Sequence, residues 1–183
     1  MPVRKLLAAA VAVLVIASLL SATLREKTNS GTAMIAACQG FLDSLDSQQV
    51  RQCTFSYDDK ERLNWHFIPR VRKGLPIKDL EGRALRSAQK LIQSGLSAAG
   101  YDQAVNVMSL EEILFLLEGG DREKRRDRRD PMKYYLSVFG KPGKSGTWGW
   151  RVEGHHLSLN YTIIDGKLVA TTPEFFGALA RAP

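Results

Sequence analysis

Apolar residues recur along this chain in two rhythms, and the change from one to the other divides it. Met34, Ile35, Cys38, Phe41, Leu42 and Leu45 fall at helical spacing behind a cap at Thr32. Ser47, followed by Gln48, Gln49 and Val50, reads as the start of a short second helix. Leu63, Trp65 and Phe67 alternate with Asn64, His66 and Ile68, which predicts a strand before Pro69. Gly74 to Asp79 reads as a loop. A third helix is expected from Leu80 to Ser94, with Leu85, Ala88, Leu91 and Ile92 on one stripe and Gly95 at its stop. A fourth covers Gln103 to Glu118, where Leu110, Ile113, Leu114 and Leu117 form an i, i+3, i+4, i+7 stripe.

Beyond Asp130 the rhythm becomes two-residue. Tyr134–Phe139, Trp148–Val152, His155–Ile164 and Lys167–Thr171 read as strands, and Asp165-Gly166 is a two-residue hairpin signal. Helices first and an antiparallel β-meander second predict an α+β domain. Thr172-Pro173-Glu174 has the form of a helix start, with Phe175, Phe176 and Leu179 behind it. The chain stops at Pro183, so the expectation is a domain cut short at its C-terminal end.

The N-terminus follows neither rhythm. Arg4 and Lys5 precede an apolar run from Leu6 to Leu20, and Ser21, Ala22 and Thr23 follow before Arg25, Glu26 and Lys27. Basic start, apolar middle and small-residue end describe a secretory signal peptide. The uncharged run also approaches the ~20 residues of a spanning helix, so an uncleaved anchor is the alternative. Residues 1–24 are thus signal peptide or anchor, 25–32 a linker, and 33–183 one domain outside the cytoplasm, touching a membrane only through an uncleaved leader. Formal charge falls from +7 to +4 without residues 1–30, because Arg4, Lys5, Arg25 and Lys27 leave with only Glu26. That is no nucleic-acid footprint. The run Asp121–Asp130, DREKRRDRRD, interleaves acids with its basic residues and reads as a solvated loop or helix end. In an oxidising compartment Cys38 and Cys53 are expected to pair, a clip worth ~3 kcal/mol in the chain-entropy model.

Common catalytic motifs are absent. Gly143-Lys144-Ser145 ends like a phosphate-binding loop, but Val138 stands where its first glycine belongs. The informative stretch is Trp148–Asn160, WGWRVEGHHLSLN. Its apolar residues are even-numbered before Gly154 (Trp148, Trp150, Val152) and odd-numbered after it (Leu157, Leu159, Tyr161). A bulge or bend at Gly154-His155 accounts for the switch. The other face then carries Arg151, Glu153, His156, Ser158 and Asn160, and His66 lies on a polar face of its own strand. His66, His155 and His156 with Glu153 suit zinc, copper or iron. Without a metal, Glu153 and Arg151, with His156, could bind or protonate an anionic ligand as catalytic groups. The plainest reading is a solvated sheet face. A different class of function is an extracytoplasmic binding or envelope-associated module whose Trp65, Trp148 and Trp150 pack or line a ligand cleft.

The order of segments resembles a bacterial family, domain of unknown function 3500. The resemblance rests on W-H-F-I-P at 65–69, R-K-G-L-P at 72–76, L-S-A-A-G-Y at 96–101, D-P-M-K-Y-Y, V-F-G-K-P, the E-G-H-H-L-S-L-N core and T-P-E-F-F-G-A at 172–178. It implies no assigned activity. It does imply a further region with more histidines beyond this chain's end, so residues 66, 155 and 156 would be part of a ligand set.

Overall fold

The computed structural model describes residues 2–177, with side chains described for 11–22 and 29–177. Helix α1 (Pro2–Leu42) runs unbroken through residues 25–32, where a linker is expected. Gly31 belongs to that helix, and a Cβ on it would run into the Gly166 carbonyl. It is there for close approach, not flexibility. Met34, Ile35, Cys38 and Phe41 are buried as their spacing predicts, whereas Val11 to Leu20 are exposed. Among the described residues no helix is long and apolar enough to cross a membrane. The side chains of Arg4, Lys5 and Arg25 to Lys27, which mark the ends of the expected leader, lie outside the described residues, as does Leu179.

Asp46 caps α2 (Ser47–Cys53) through a reciprocal box. Its carboxylate accepts from the Gln48 and Gln49 N–H groups at 2.8 Å, and Gln49 Oε1 accepts from the Asp46 N–H. Cys38 and Cys53 are free thiols in one buried cluster, and burial pushes both up, Cys53 to about 12. Helix α3 (Gly82–Ser94) buries Ala84, Ala88, Leu91 and Ile92. Helix α4 (Ala98–Leu117), capped by Ser97, starts earlier than its leucines suggest. Its buried stripe is Ala104, Val107, Glu111 and Phe115, while Ile113 and Leu117 of the expected stripe are exposed. The charged run forms α5 (Arg122–Arg128), capped by Asp121.

Strands β3 (Tyr135–Phe139), β4 (Thr147–Gly154), β5 (Leu157–Ile164) and β6 (Lys167–Ala170) form the expected antiparallel meander. Two short strands, β1 (Thr54–Phe55, parallel) and β2 (Leu75–Pro76, antiparallel), share the free side of β3. The 74–79 loop is therefore partly sheet. The fold is α+β, and Asp165-Gly166 turns with φ of 47° and 73° at the hairpin.

Three expectations fail for physical reasons. Residues 174–176 are not a helix but strand β7 (Glu174–Phe176), which takes the Leu157–Leu159 edge that β6 leaves open. Asn160 fixes its approach by donating to the Pro173 carbonyl at 2.7 Å. Residues 63–68 are not a strand; a 3-10 turn (Lys60–Leu63) leads into irregular chain. Side chains and the hairpin turn satisfy its backbone instead of a ladder: Arg72 donates to the His66 and Ile68 carbonyls, and the His156 N–H donates to that of Phe67. Finally, there is no bulge at Gly154-His155. The chain reverses there, with Gly154 paired to Leu157 and Val152 to Leu159, so cross-strand partners have opposite parity by construction.

The even face of β4 and the odd face of β5 hold Trp148, Trp150, Val152, Leu157, Leu159 and Ile163 in the core shared with α1 and α3. The opposite face is not solvated. Arg151, Glu153 and Ser158 are at most 1% exposed, covered by the irregular segment.

Candidate active site

His155 and His156 are the two residues of the turn that joins β4 to β5. Gly154 precedes them because a Cβ there would run into the Tyr134 ring, whose hydroxyl donates to the His155 carbonyl at 2.8 Å. His156 adopts a left-handed backbone, φ 58°, uncommon for a residue other than glycine. It is held from both sides: its N–H donates to the Phe67 carbonyl at 2.9 Å, and its carbonyl accepts from the Gly177 N–H at 2.7 Å. Over-determined backbone of this kind gathers at functional sites.

The His155 ring meets α4. Its Nδ1 hydrogen-bonds Glu111 Oε1, and Arg129 Nη1 lies 3.1 Å from the same nitrogen. Arg129 also donates to Glu111 Oε2 at 3.3 Å and, through Nε and Nη2, to Glu118 at 3.0 and 2.5 Å. Those bonds from Arg129, helped by Arg128, hold the Glu118 carboxyl down to about 2. Arg129 is buried, so the charged run is not wholly solvated. The His156 ring stands 4.0 Å from that of His155, centroid to centroid. Burial first, then His155, depress its pKa, so the neutral ring is favoured.

A cleft of about 170 Å³ opens at this point, reaching Glu111 and His155 and lined by Arg70, Arg128, Lys133, Asp127 and Asp130. Lys133 is paired with Asp127 and Arg128 with Glu118. Arg70, among the described residues, has no carboxylate partner.

Arg151 and Glu153, the sequence's catalytic pair, do not line this cleft. They form a buried layer beneath the irregular segment. Arg151 donates to the Glu61 carbonyl and to Glu61 Oε1, both at 2.9 Å, and lies 3.1 Å from Glu153 Oε1. Glu153 Oε2 accepts from the His66 N–H at 2.9 Å, with Arg72 Nε 3.7 Å away. Burial pushes the Glu153 carboxyl up, while Arg151 and the His66 N–H pull it back. Two arginines and two glutamates balance, which is what lets the layer be buried.

His66 takes part through its backbone. Its ring pairs with Asn64 Oδ1 at 3.2 Å, in a separate cleft that also includes Glu61 and Lys73. Residues 70–72 line both clefts. Among the described residues, no group of three or more His, Cys, Asp or Glu side chains is placed to hold a metal ion. The structure thus joins His155 with His156 and leaves His66 apart.

Sequence reasoning missed Glu111, Arg129, Glu61, Arg72 and Tyr134. Only Glu111 left a trace, as a lone acid in the stripe Ala104, Val107, Phe115.

A family model described as "Protein of unknown function (DUF3500)" matches residues 27–180. No curated protein and no solved structure matches the chain.

Proposed function

The chain belongs to the DUF3500 family, and we propose that it is an exported protein in which His155, oriented by Glu111, performs acid–base chemistry on an anionic ligand. The observation that carries this is the His155–Glu111 bond at the end of a cleft. An imidazole whose Nδ1–H donates a hydrogen bond to a carboxylate keeps a lone pair on Nε2, the arrangement of a general base. Arg129 fixes the carboxylate and supplies a nearby positive charge. Arg70, which has no carboxylate partner among the described residues, supports an anionic ligand. Nε2 takes the proton of a bound water or hydroxyl as that oxygen attacks, and returns it to the leaving group. Export rests on the basic start and the apolar Leu6–Leu20 run.

A metal-dependent version of the same site has the two imidazole rings in its favour. His155 and His156 would then be the two imidazole donors the described residues supply, without His66, and the rest of the donor set would come from outside them. Zinc, copper or iron would supply Lewis acidity there.

The test is nitrogen-15 NMR of the imidazoles in the intact chain. His155 should appear as the Nδ1–H tautomer and lose that preference in Glu111→Gln. A His155 ring protonated on Nε2 at neutral pH in the unmodified protein refutes the acid–base reading. Metal analysis after reconstitution, with and without His156→Ala, decides between the two versions.

A further inference from the structure

A third cleft lies at the far end of the same sheet face. His155 lies six residue steps along β4 from Gly149, about 20 Å at strand rise, so this is not an extension of the histidine site. Its volume is about 150 Å³, the size of cavity that accommodates one six-membered ring.

Its shape follows from the register. Gly149 pairs with Phe139 on one side and Thr162 on the other, so a residue without a side chain sits between an aromatic ring and a hydroxyl. Trp65, Leu63 and Arg62 come from the irregular segment, and Thr172 with Pro173 from the approach to β7. Of the three tryptophans, Trp65 brings its side chain to this cleft, whereas the side chains of Trp148 and Trp150 are buried in the core.

Hydrogen-bonding capacity here is mixed in kind. Asn160 commits its Nδ2 group to Ser158 Oγ at 3.1 Å and the Pro173 carbonyl at 2.7 Å, leaving Oδ1 as an acceptor. Among the described residues, the Thr162 and Thr172 hydroxyls have no partner in the protein. Arg62 spends Nε on the Tyr57 carbonyl, with its guanidinium over the Tyr57 ring, and keeps its terminal donors.

An apolar ligand would strand these groups, at a cost for each one buried unpaired. An anion would find one cation, already stacked on Tyr57, and a repelling amide oxygen. A sugar ring has an apolar C–H face for the aromatic wall and hydroxyls that both give and accept. We propose that this cleft binds the ring of a neutral saccharide.

The experiment titrates the full chain with maltotriose, cellotriose and chitotriose, each followed by amide NMR, with benzoate and inorganic phosphate as apolar and anionic counter-probes. At least one saccharide should saturate and shift the Gly149 and Thr162 amides. Thr162→Val, which keeps the shape and removes the hydroxyl, should weaken it about tenfold, as expected for one lost hydrogen bond. Thr162→Ser should restore it. Trp65→Ala should abolish binding, with its urea midpoint measured alongside so that unfolding is recognised; if it unfolds, the threonine pair carries the test. The proposal is overturned if no saccharide saturates at tens of millimolar, if benzoate or phosphate binds there more tightly, or if Thr162→Val binds as the unmodified chain does.

Discussion

Replacing Arg151 by Met would test the buried charge layer directly. The Arg151 side chain is fully buried between Glu61 and Glu153, themselves 3% and 1% exposed. Methionine fills much of the stem's volume and removes the cation, leaving two buried carboxylates with only Arg72 near one of them. Removing one partner of a buried pair costs ~3–5 kcal/mol, a large part of the ~5–15 kcal/mol that holds a domain together. Urea unfolding followed by tryptophan fluorescence reports it, because Trp148 and Trp150 are buried in the core. The sign with pH is fixed. Burial already raises the Glu153 pKa, and loss of Arg151 raises it further. A carboxyl with a raised folded pKa contributes stability that is present below its unfolded value and lost as pH rises through the folded one. The Arg151→Met penalty should therefore be larger at pH 8 than at pH 5, and adding Glu153→Gln should recover part of it. A penalty under ~1 kcal/mol at pH 8 would refute the reasoning, as would one of equal size at both pH values.

Other consequences can be checked as simply. Gly154→Ala should lower stability by ~1–3 kcal/mol, since its methyl would overlap the Tyr134 ring; an unchanged thermal midpoint would mean the turn relaxes freely. The His156 pKa is depressed, so its contribution is present above the ordinary imidazole value and fades as pH falls below it. His156→Asn, which tolerates the same left-handed backbone, should accordingly lose less stability than the unmodified chain between pH 7.5 and pH 5 in urea midpoints. Peptide mapping of exported protein without reductant should find Cys38 linked to Cys53, and free thiols there would count against export into an oxidising compartment. In the reduced, folded chain both thiols should resist alkylating reagents until denaturant is added, given their burial.

The meander was legible because alternation and Asp165-Gly166 each carry their own physics. The β4–β5 turn was not. A parity switch is produced equally by a bulge and by a two-residue reversal, and His155-His156 lacks the glycine or asparagine that usually signals the latter. The 63–68 alternation misled for a related reason: Trp65 and Phe67 cover the sheet instead of joining it, and Phe67 stacks on Phe175 at 4.5 Å. On α4 the leucines drew attention to a face that is largely exposed. Glu111 faces inward because His155 and Arg129, 44 and 18 residues further along the chain, supply its partners. Such pairing is a property of the assembled fold, and no local spacing encodes it. The polar row on β4 and β5 is legible in the sequence, but its burial is not, since what buries it is an irregular segment with no periodicity of its own.

That irregular segment divides the molecule in time as well as in space. The β4–β5 hairpin is paired along its whole length, so its amides should exchange with solvent only when the sheet itself opens. Residues 64–73 are fastened by clasps from Arg72, Glu153 and the His156 N–H, which can release one at a time. Hydrogen exchange should find the cover opening many times for each opening of the sheet. The turn that carries His155 thus keeps its position while the wall beside it breathes, and traffic through the clefts this segment lines is set by the lifetime of the clasps.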